Sequence, residues 1–368
     1  MDARAHRRAW LALASVTGVG PRTCGALVRA FGSAAAVVRA PRARLAAVPG
    51  VGPVRGDALA AGLASADPDL VEADAVRAGC DLVTPADDGY PAALLEGGDP
   101  PPALWLRGTL PGPAYLAVAV VGARSASPYG QRIAHGLAEG LARAGIVVVS
   151  GLARGVDAAA HAGALAGGGP TVAVLGCGAD VVYPPEHTGL ADDVRRRGAL
   201  VSEHPPGTPP HPGHFPRRNR IVAALSRATV VVEAGLTSGA LVTARLALEA
   251  GRDVLAVPGP VDRGTHAGCH RLLRDGAQLC EGLDDVLRAL GRGAMSSGGV
   301  GGAPALPPPA PGPALVVWTA LDGDDALDAD ALVLRTGLSP DAVAAAMTML
   351  ELDGRAVRVP GVGLRRVR

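Results

Sequence analysis

Between residues 116 and 290 the chain alternates two kinds of hydrophobic pattern. Short, wholly apolar runs rich in valine stand at LAVAVVG (116–122), IVVVSG (146–151), TVAVLG (171–176), ALVSE (199–203), TVVVEA (229–234) and DVLAVPG (253–259). Stretches of helical periodicity separate most of them, such as YGQRIAHGLAEGLARAG (129–145) and SGALVTARLALEAG (238–251). Apolar strands alternating with helices predict an α/β domain with a parallel sheet covered on both faces. Four of the six runs end directly in glycine. In such sheets ligands bind in the crevice beyond the carboxyl ends of the strands, so the loops after the strands should carry the chemistry.

The flanks carry other patterns. VTGVGPRTCGALVRAF (16–31) is echoed by VPGVGPVRGDALAAGL (48–63): a Gly-x-Gly turn, a proline opening a helix, then apolar residues at helical spacing. These predict paired helix-hairpin-helix units, which can present backbone N–H groups to a phosphate or serve packing alone. Residues 70–115 form a connecting region, too rich in proline and glycine for long elements apart from a short strand at ALWLRG (103–108). Residues 291–313 are a Gly/Pro/Ser linker. Beyond it, two helical patterns and the hairpin-like AVRVPGVGLRRV predict a winged helix. The expected organisation is a helical domain over 1–70, the α/β domain over 71–290, the linker over 291–313 and a winged domain over 314–368.

Composition narrows the chemistry. The net charge is +1 and 19% of residues are charged, so any case for nucleic acid must rest on local clusters. All 35 basic residues are arginine, which excludes a Walker A lysine and a lysine Schiff base. Asn219 is the only asparagine, Phe31 and Phe215 the only phenylalanines, and isoleucine occurs three times. The scarce types are those with A/T-rich codons, so a Phe, Asn or Tyr that persists stands out. Five scattered cysteines without a CxxC motif predict a reduced, cytoplasmic protein. No apolar run is long enough to span a bilayer, and no secretion signal is recognisable.

The post-strand loops hold the candidate residues. After the first strand, Gly122 permits a close turn, and Arg124 and Ser125 can face an anion at the next helix. After the second, Ser150, Gly151, Arg154 and Gly155 offer N–H, hydroxyl and guanidinium donors. Asp157 can cap the following helix. His161 lies one turn on, as a ligand contact or as a structural histidine. After the fifth, Glu233 ends the strand, and Ser238 and Gly239 open a helix that can hold a phosphate. Converging on one sheet edge, these loops describe an anion site.

The segment HFPRRNRIVAALS (214–226) is the densest local cluster. Arg217, Arg218 and Arg220 suit phosphates, which guanidinium forks grip in bidentate fashion. Phe215 can stack on a base, and Asn219 can bond a base edge or fix the loop. His204, His211 and His214 sit in a proline-rich loop without paired Cys or Asp ligands, and no metal is expected there.

The ordered series YPAALLEGGDPPPALWLRG, VAVVGARSASPYG, VVVSGLARGVDAAAH, TVAVLGCGADVVYPPEH, GALVSEHPPGTPP, HFPRRNRIVAALS, VVVEAGLTSGALVTARLALEAGRDVLAVPGP and LLRDGA resembles the DNA-processing protein A (Smf) family over roughly residues 75–290. The resemblance implies an extended Rossmann-like sheet flanked by a small helix-hairpin-helix (SAM-like) domain and a winged helix. It further implies a homodimer, joined through the Rossmann-like domain, that binds single-stranded DNA and delivers it to the RecA recombinase in natural transformation. Gly122-Ala123-Arg124 stands where the family has Gly-Ser/Thr-Arg, so Ser125 is the nearest hydroxyl. Pro170 replaces a basic residue of some members. The resemblance supplies no catalytic residue and no cofactor.

A nucleotide-processing hydrolase, with Glu233, Asp157 and Arg124 as its site, is the competing reading. Against it stand the lack of paired carboxylates at recognisable spacing and an open Arg/Phe loop that suits a polymer. The second helix of the winged domain, PDAVAAAMTMLELDG, has no arginine and follows the acidic LDGDDALDAD, so protein contact rather than groove reading is expected of it.

Overall fold

A computed structural model describes residues 3–96, 99–112, 115–291, 309–321, 326–353, 355–359 and 363–366. Most of the expected linker, residues 292–308, and part of the acidic run, residues 322–325, lie outside the described residues. The chain divides into two compact units, Met1–Ser297 and Gly298–Arg368.

The first unit begins with six helices: α1 (Ala3–Ser15), α2 (Pro21–Phe31), α3 (Ala34–Val38), α4 (Arg42–Ala46), α5 (Gly52–Ala64) and α6 (Pro68–Arg77). Both copies of the sequence repeat form a glycine turn followed by a helix. Gly18 and Gly50 turn the chain at φ +82° and +84°, in the left-handed region that favours glycine. Pro21 and Pro53 sit in the first turns of α2 and α5, where a missing N–H costs nothing. Trp10, Leu13, Cys24, Leu27, Val37, Leu45 and Leu59 close the helical core.

Nine strands follow: β1 (Asp81–Val83), β2 (Leu104–Gly108), β3 (Ala117–Val121), β4 (Val147–Ser150), β5 (Thr171–Val174), β6 (Ala199–Ser202), β7 (Ala228–Val231), β8 (Asp253–Ala256) and β9 (Gln278–Leu279). They form one sheet in the order β1-β2-β6-β5-β4-β3-β7-β8-β9. Every pairing from β6 to β9 is parallel; β2 joins β6, and β1 joins β2, antiparallel. The six apolar runs are therefore the centre of a larger sheet.

Helices α7 (Ala92–Glu96), α8 (Pro128–Arg143), α9 (Val156–Ala166), α10 (Thr188–Arg197), α11 (His214–Ala224), α12 (Gly239–Glu249), α13 (Ala267–Arg274) and α14 (Leu283–Ala289) complete the unit. Along β3 the side chains alternate between two cores. Ala117, Ala119 and Val121 pack with Ile221, Val222, Ala240, Ala244 and Cys269. Val118 and Val120 pack with Ala134, Leu141, Ala160 and Val286 on the other side. This is the period of two expected of a strand buried on both faces. The N-terminal helices are welded to the sheet, because Leu11 and Ala75 share a buried cluster with Leu82, Trp105 and Ala179.

In the second unit, α15 (Pro313–Ala320), α16 (Ala329–Thr336) and α17 (Pro340–Leu352) precede an antiparallel hairpin, β10 (Ala356–Val359) and β11 (Gly363–Arg366). Val317, Leu332, Val343, Leu350 and Leu364 form its core. The sequence pattern anticipated α16, α17 and the hairpin but not α15, whose PALVVWTA lacks a polar face.

Candidate nucleic-acid interface

The sheet grows in opposite directions from β3, with β4 on one side and β7 on the other. Loops leaving β3 and β7 must therefore diverge, which opens a crevice at their carboxyl ends. A cleft of about 610 Å³ lies there, lined among others by Gly122, Arg124, Ser125, Gly151, Asp157, Tyr183, Phe215, Arg218, Asn219, Ser238 and Gly239. Arg154 lines a smaller recess beside it, again with Tyr183 and Phe215.

The backbone frame of this cleft is stitched through Ala123. Its N–H donates to Glu233 O at 2.6 Å, and its carbonyl accepts from Val156 N at 3.2 Å. The exits of β3, β4 and β7 are thereby tied together. Gly155 completes the junction at φ +73°, where a Cβ would collide with the Ala123 carbonyl oxygen. Ser150 is fully buried and donates to Val120 O at 2.7 Å, so its hydroxyl serves the frame rather than the cleft.

Two carboxylates hold the frame from inside. Glu233 is fully buried and accepts from the Ser127 backbone N–H at 3.1 Å and hydroxyl at 2.7 Å. Ser127 in turn caps α8 by accepting from Gly130 N at 3.1 Å. Asp157 accepts from Gly151 N at 3.1 Å and Ala153 N at 3.4 Å, which folds the β4 exit onto the start of α9. Burial pushes its carboxyl up, against the opposing pull of nearby Arg218.

His161 faces inward. Its Nδ1 lies 2.8 Å from Thr171 Oγ1, whose hydroxyl donates to Val148 O at 2.7 Å, so Nδ1 carries the proton. Burial pushes its pKa down to about 3. It is a structural histidine. The rings of His204 and His214 stack with centroids 4.1 Å apart, and His211 lies 5.2 Å from His214. Among the described residues no group of three or more His, Cys, Asp or Glu could hold a metal ion.

The arginine cluster divides in the fold. A helical turn brings Phe215, Arg218, Asn219 and Val222 to the face of α11 that lines the cleft. Arg218 is 4% exposed; Nη1 donates to Gly151 O at 2.8 Å and also to Val174 O, while Nε donates to Asn219 Oδ1 at 3.1 Å. Burial lowers its pKa, with Asp157 opposing the shift. Asn219 Nδ2 donates to Gly239 O at 3.3 Å, linking α11 to the first turn of α12, where Ser238 caps by accepting from Ala240 N at 3.3 Å. Arg220 is paired with Glu203 and donates to Asp99 O at 3.1 Å. Arg217 is exposed. Only Arg217 of the three thus stands open to solvent, a division that the sequence did not disclose.

The open part of the site is aromatic and cationic. The exposed Arg124 guanidinium lies 5.3 Å from the Phe215 ring centroid, and Tyr183 stands 5.6 Å from Phe215 on another side. Arg154 is exposed and paired with Glu186. An exposed pair of this kind is weak enough to give way to a phosphate. Tyr183 was not singled out in the sequence, although it stands in VVYPPEH as one of four tyrosines. The site offers guanidiniums beside flat apolar faces, a combination suited to a chain of phosphates and bases.

Comparison with known proteins agrees with this geometry. Residues 81–291 match the family of DNA recombination-mediator protein A, residues 301–362 the DprA winged helix domain, and residues 11–72 the SAM-like helix-hairpin-helix tandem. The chain is 42% identical over 302 residues to the putative DNA processing protein DprA of Mycobacterium tuberculosis, covering 76% of each. The crystal structure of DprA from Streptococcus pneumoniae superposes with a TM-score of 0.66 at 33% identity, covering 75% of this chain and 95% of that one. DNA processing protein A from Helicobacter pylori, whose single-stranded DNA binding mode has been described structurally, gives a TM-score of 0.51 at 30% identity and covers 58% and 97%.

Proposed function

The chain belongs to the DNA recombination-mediator protein A family, and on that premise we propose that it binds single-stranded DNA in the β3/β7 cleft and passes the strand to the RecA recombinase during DNA uptake and recombination. The observation that carries the binding step is the group of Arg124, Phe215 and Tyr183 at the mouth of the cleft. A base unstacked from its neighbours can lie on such rings while guanidiniums take its phosphates. A duplex keeps its bases stacked and cannot use the rings.

The same geometry weighs against the hydrolase reading. Glu233 and Asp157 accept hydrogen bonds from the loops they hold and are almost fully buried, so neither is poised to activate water. We read the site as a binder and assign it no catalytic residue.

A homodimer fits the far edge of the sheet. Strand β9 ends the sheet with only two residues, both exposed, and a strand in that position has an edge open to pairing. Leu279 of this strand is 47% exposed, and Leu236 and Leu248, 58% and 56% exposed, line a groove of about 530 Å³ that reaches Ala277, immediately before the strand. Apolar surface next to an open sheet edge suits a second copy of the chain. A cytoplasmic setting is supported by five free, buried cysteines.

The test is fluorescence anisotropy with poly(dT) and a matched duplex at equal salt, followed by RecA strand exchange on single strands coated with single-strand binding protein. Clear preference for poly(dT) and stimulated exchange are expected. Equal affinity for both forms removes the binding reading, and unstimulated exchange removes the RecA step alone.

A further inference from the structure

Helix α11 has a second face. Arg217 lies one residue before Arg218 and points away from the cleft, towards the N-terminal helices. A Cβ placed on Gly20 would stand 2.9 Å from Arg217 Nη2, so the first helix-hairpin-helix turn lies directly under this guanidinium. Arg22, at the start of α2, is 88% exposed and reaches Asp99 only at 4.0 Å. Asp99 also meets Arg29 at 3.5 Å, and its carbonyl oxygen accepts from Arg220. Glu203 is paired with Arg220 as well. Four arginines thus face two carboxylates, and Arg217 has no carboxylate partner among the described residues.

We infer that a single strand lying in the cleft runs on over the first turn of α11 to the first helix-hairpin-helix turn, where Arg217 and Arg22 take its next phosphates. The inference rests on the single-strand reading above. Continuity carries it. Phe215 on the cleft side and Arg217 on the hairpin side are two residues apart in the same helical turn, so a strand leaving the ring meets excess positive charge in one direction. The two copies of the repeat differ in the way this requires. In the second hairpin Arg55 turns back and donates to Gly50 O at 3.3 Å, and Arg42 is held by Asp57. In the first hairpin Arg22 extends into solvent with only a 4.0 Å contact to Asp99, and Arg217 of the sheet domain adds a second guanidinium beside the turn. Sequence alone shows two similar hairpins, and only the fold distinguishes them.

The experiment compares oligo(dT) of about six nucleotides, short enough for the cleft, with one of about twenty, within and beyond the usual span of a single-strand site. Wild-type protein should bind the longer strand more tightly and with a steeper salt dependence. The double variant Arg22→Ala, Arg217→Ala should keep the short-strand affinity and lose the gain with length. Its slope of log K against log salt should flatten by about 1.4 for the long strand, two contacts at about 0.7 each, and not at all for the short one. Equal weakening for both lengths, or no weakening for either, overturns the inference and leaves the cleft reading standing. Wild-type protein that binds neither length overturns the cleft reading and the inference together. Both side chains are exposed, so the variant should melt as the wild type does, and circular dichroism verifies this.

Discussion

Arg218 Nη1 donates to the carbonyl oxygen of Gly151 at 2.8 Å, fastening the start of α11 to the exit of β4. The same nitrogen serves Val174 O at the end of β5. A side chain that resembles a DNA contact in the sequence is a structural bolt in the fold. Replacing Arg218 by Ala should strand two buried carbonyl groups at about 1–3 kcal/mol each. The expected outcome is a large fall in melting temperature and in the urea midpoint. A variant that retains wild-type stability while losing DNA affinity would reverse this assignment.

Phe215 and Arg124 should separate in their effects on binding. Phe215→Ala should weaken poly(dT) binding by about 1–3 kcal/mol with an almost unchanged salt slope, because stacking releases few ions. Arg124→Ala should weaken binding and flatten the slope by about 0.7, the value for one phosphate contact on a single strand. Titrations at several salt concentrations give both quantities. Identical signatures for the two variants would show that ring and guanidinium do not divide the work in this way.

His161 makes stability depend on pH. Its pKa falls from an ordinary value near 6.5 to about 3 in the folded protein. In that window the unfolded chain binds the proton and the folded protein does not. The contribution is fully present above pH of about 6.5 and is lost as pH falls towards 3, at up to about 1.4 kcal/mol per pH unit. His161→Gln, which keeps a donor for Thr171, should flatten that dependence. Urea midpoints at several pH values between 7 and 4 measure it, and a pH profile unchanged by the substitution would count against a neutral buried imidazole.

Removing residues 314–368 should leave the first unit folded with its affinity for poly(dT) intact, since the boundary between the units lies at Ser297. Removing the N-terminal helices should not be neutral. It would uncover Leu82, Trp105 and Ala179, which pack against Leu11 and Ala75. Thermal melts of the two truncations distinguish them, and an unaltered melt without the N-terminal helices would contradict this packing.

The sheet was legible because its central strands are buried on both faces and carry uninterrupted valine and alanine. Strand β9 was not, since its two exposed residues, Gln278 and Leu279, have no pattern to read. Helix α15 was hidden by a segment apolar on every side. Within the candidate site, the glycine-ended strands lead to loops that line the cleft, and Phe215, which persists against the compositional bias, lines it too. The direction of each arginine was beyond reach. Adjacent residues on a helix project about 100° apart, and whether 217 or 218 points inward depends on the phase of α11 on the sheet. Tyr183 lay in plain view but arrives at the site from another loop, and only folding brings it beside Phe215.

The junction at Ala123 has a kinetic consequence. Three loops share one backbone knot, so none can swing out without pulling the others. The cleft is thereby held in one arrangement, and on the proposed reading an arriving strand spends ordering entropy chiefly on itself. Association should then be governed by diffusion and by long-range attraction to the guanidiniums, speeding as salt is lowered, with no slow first-order phase at high DNA concentration.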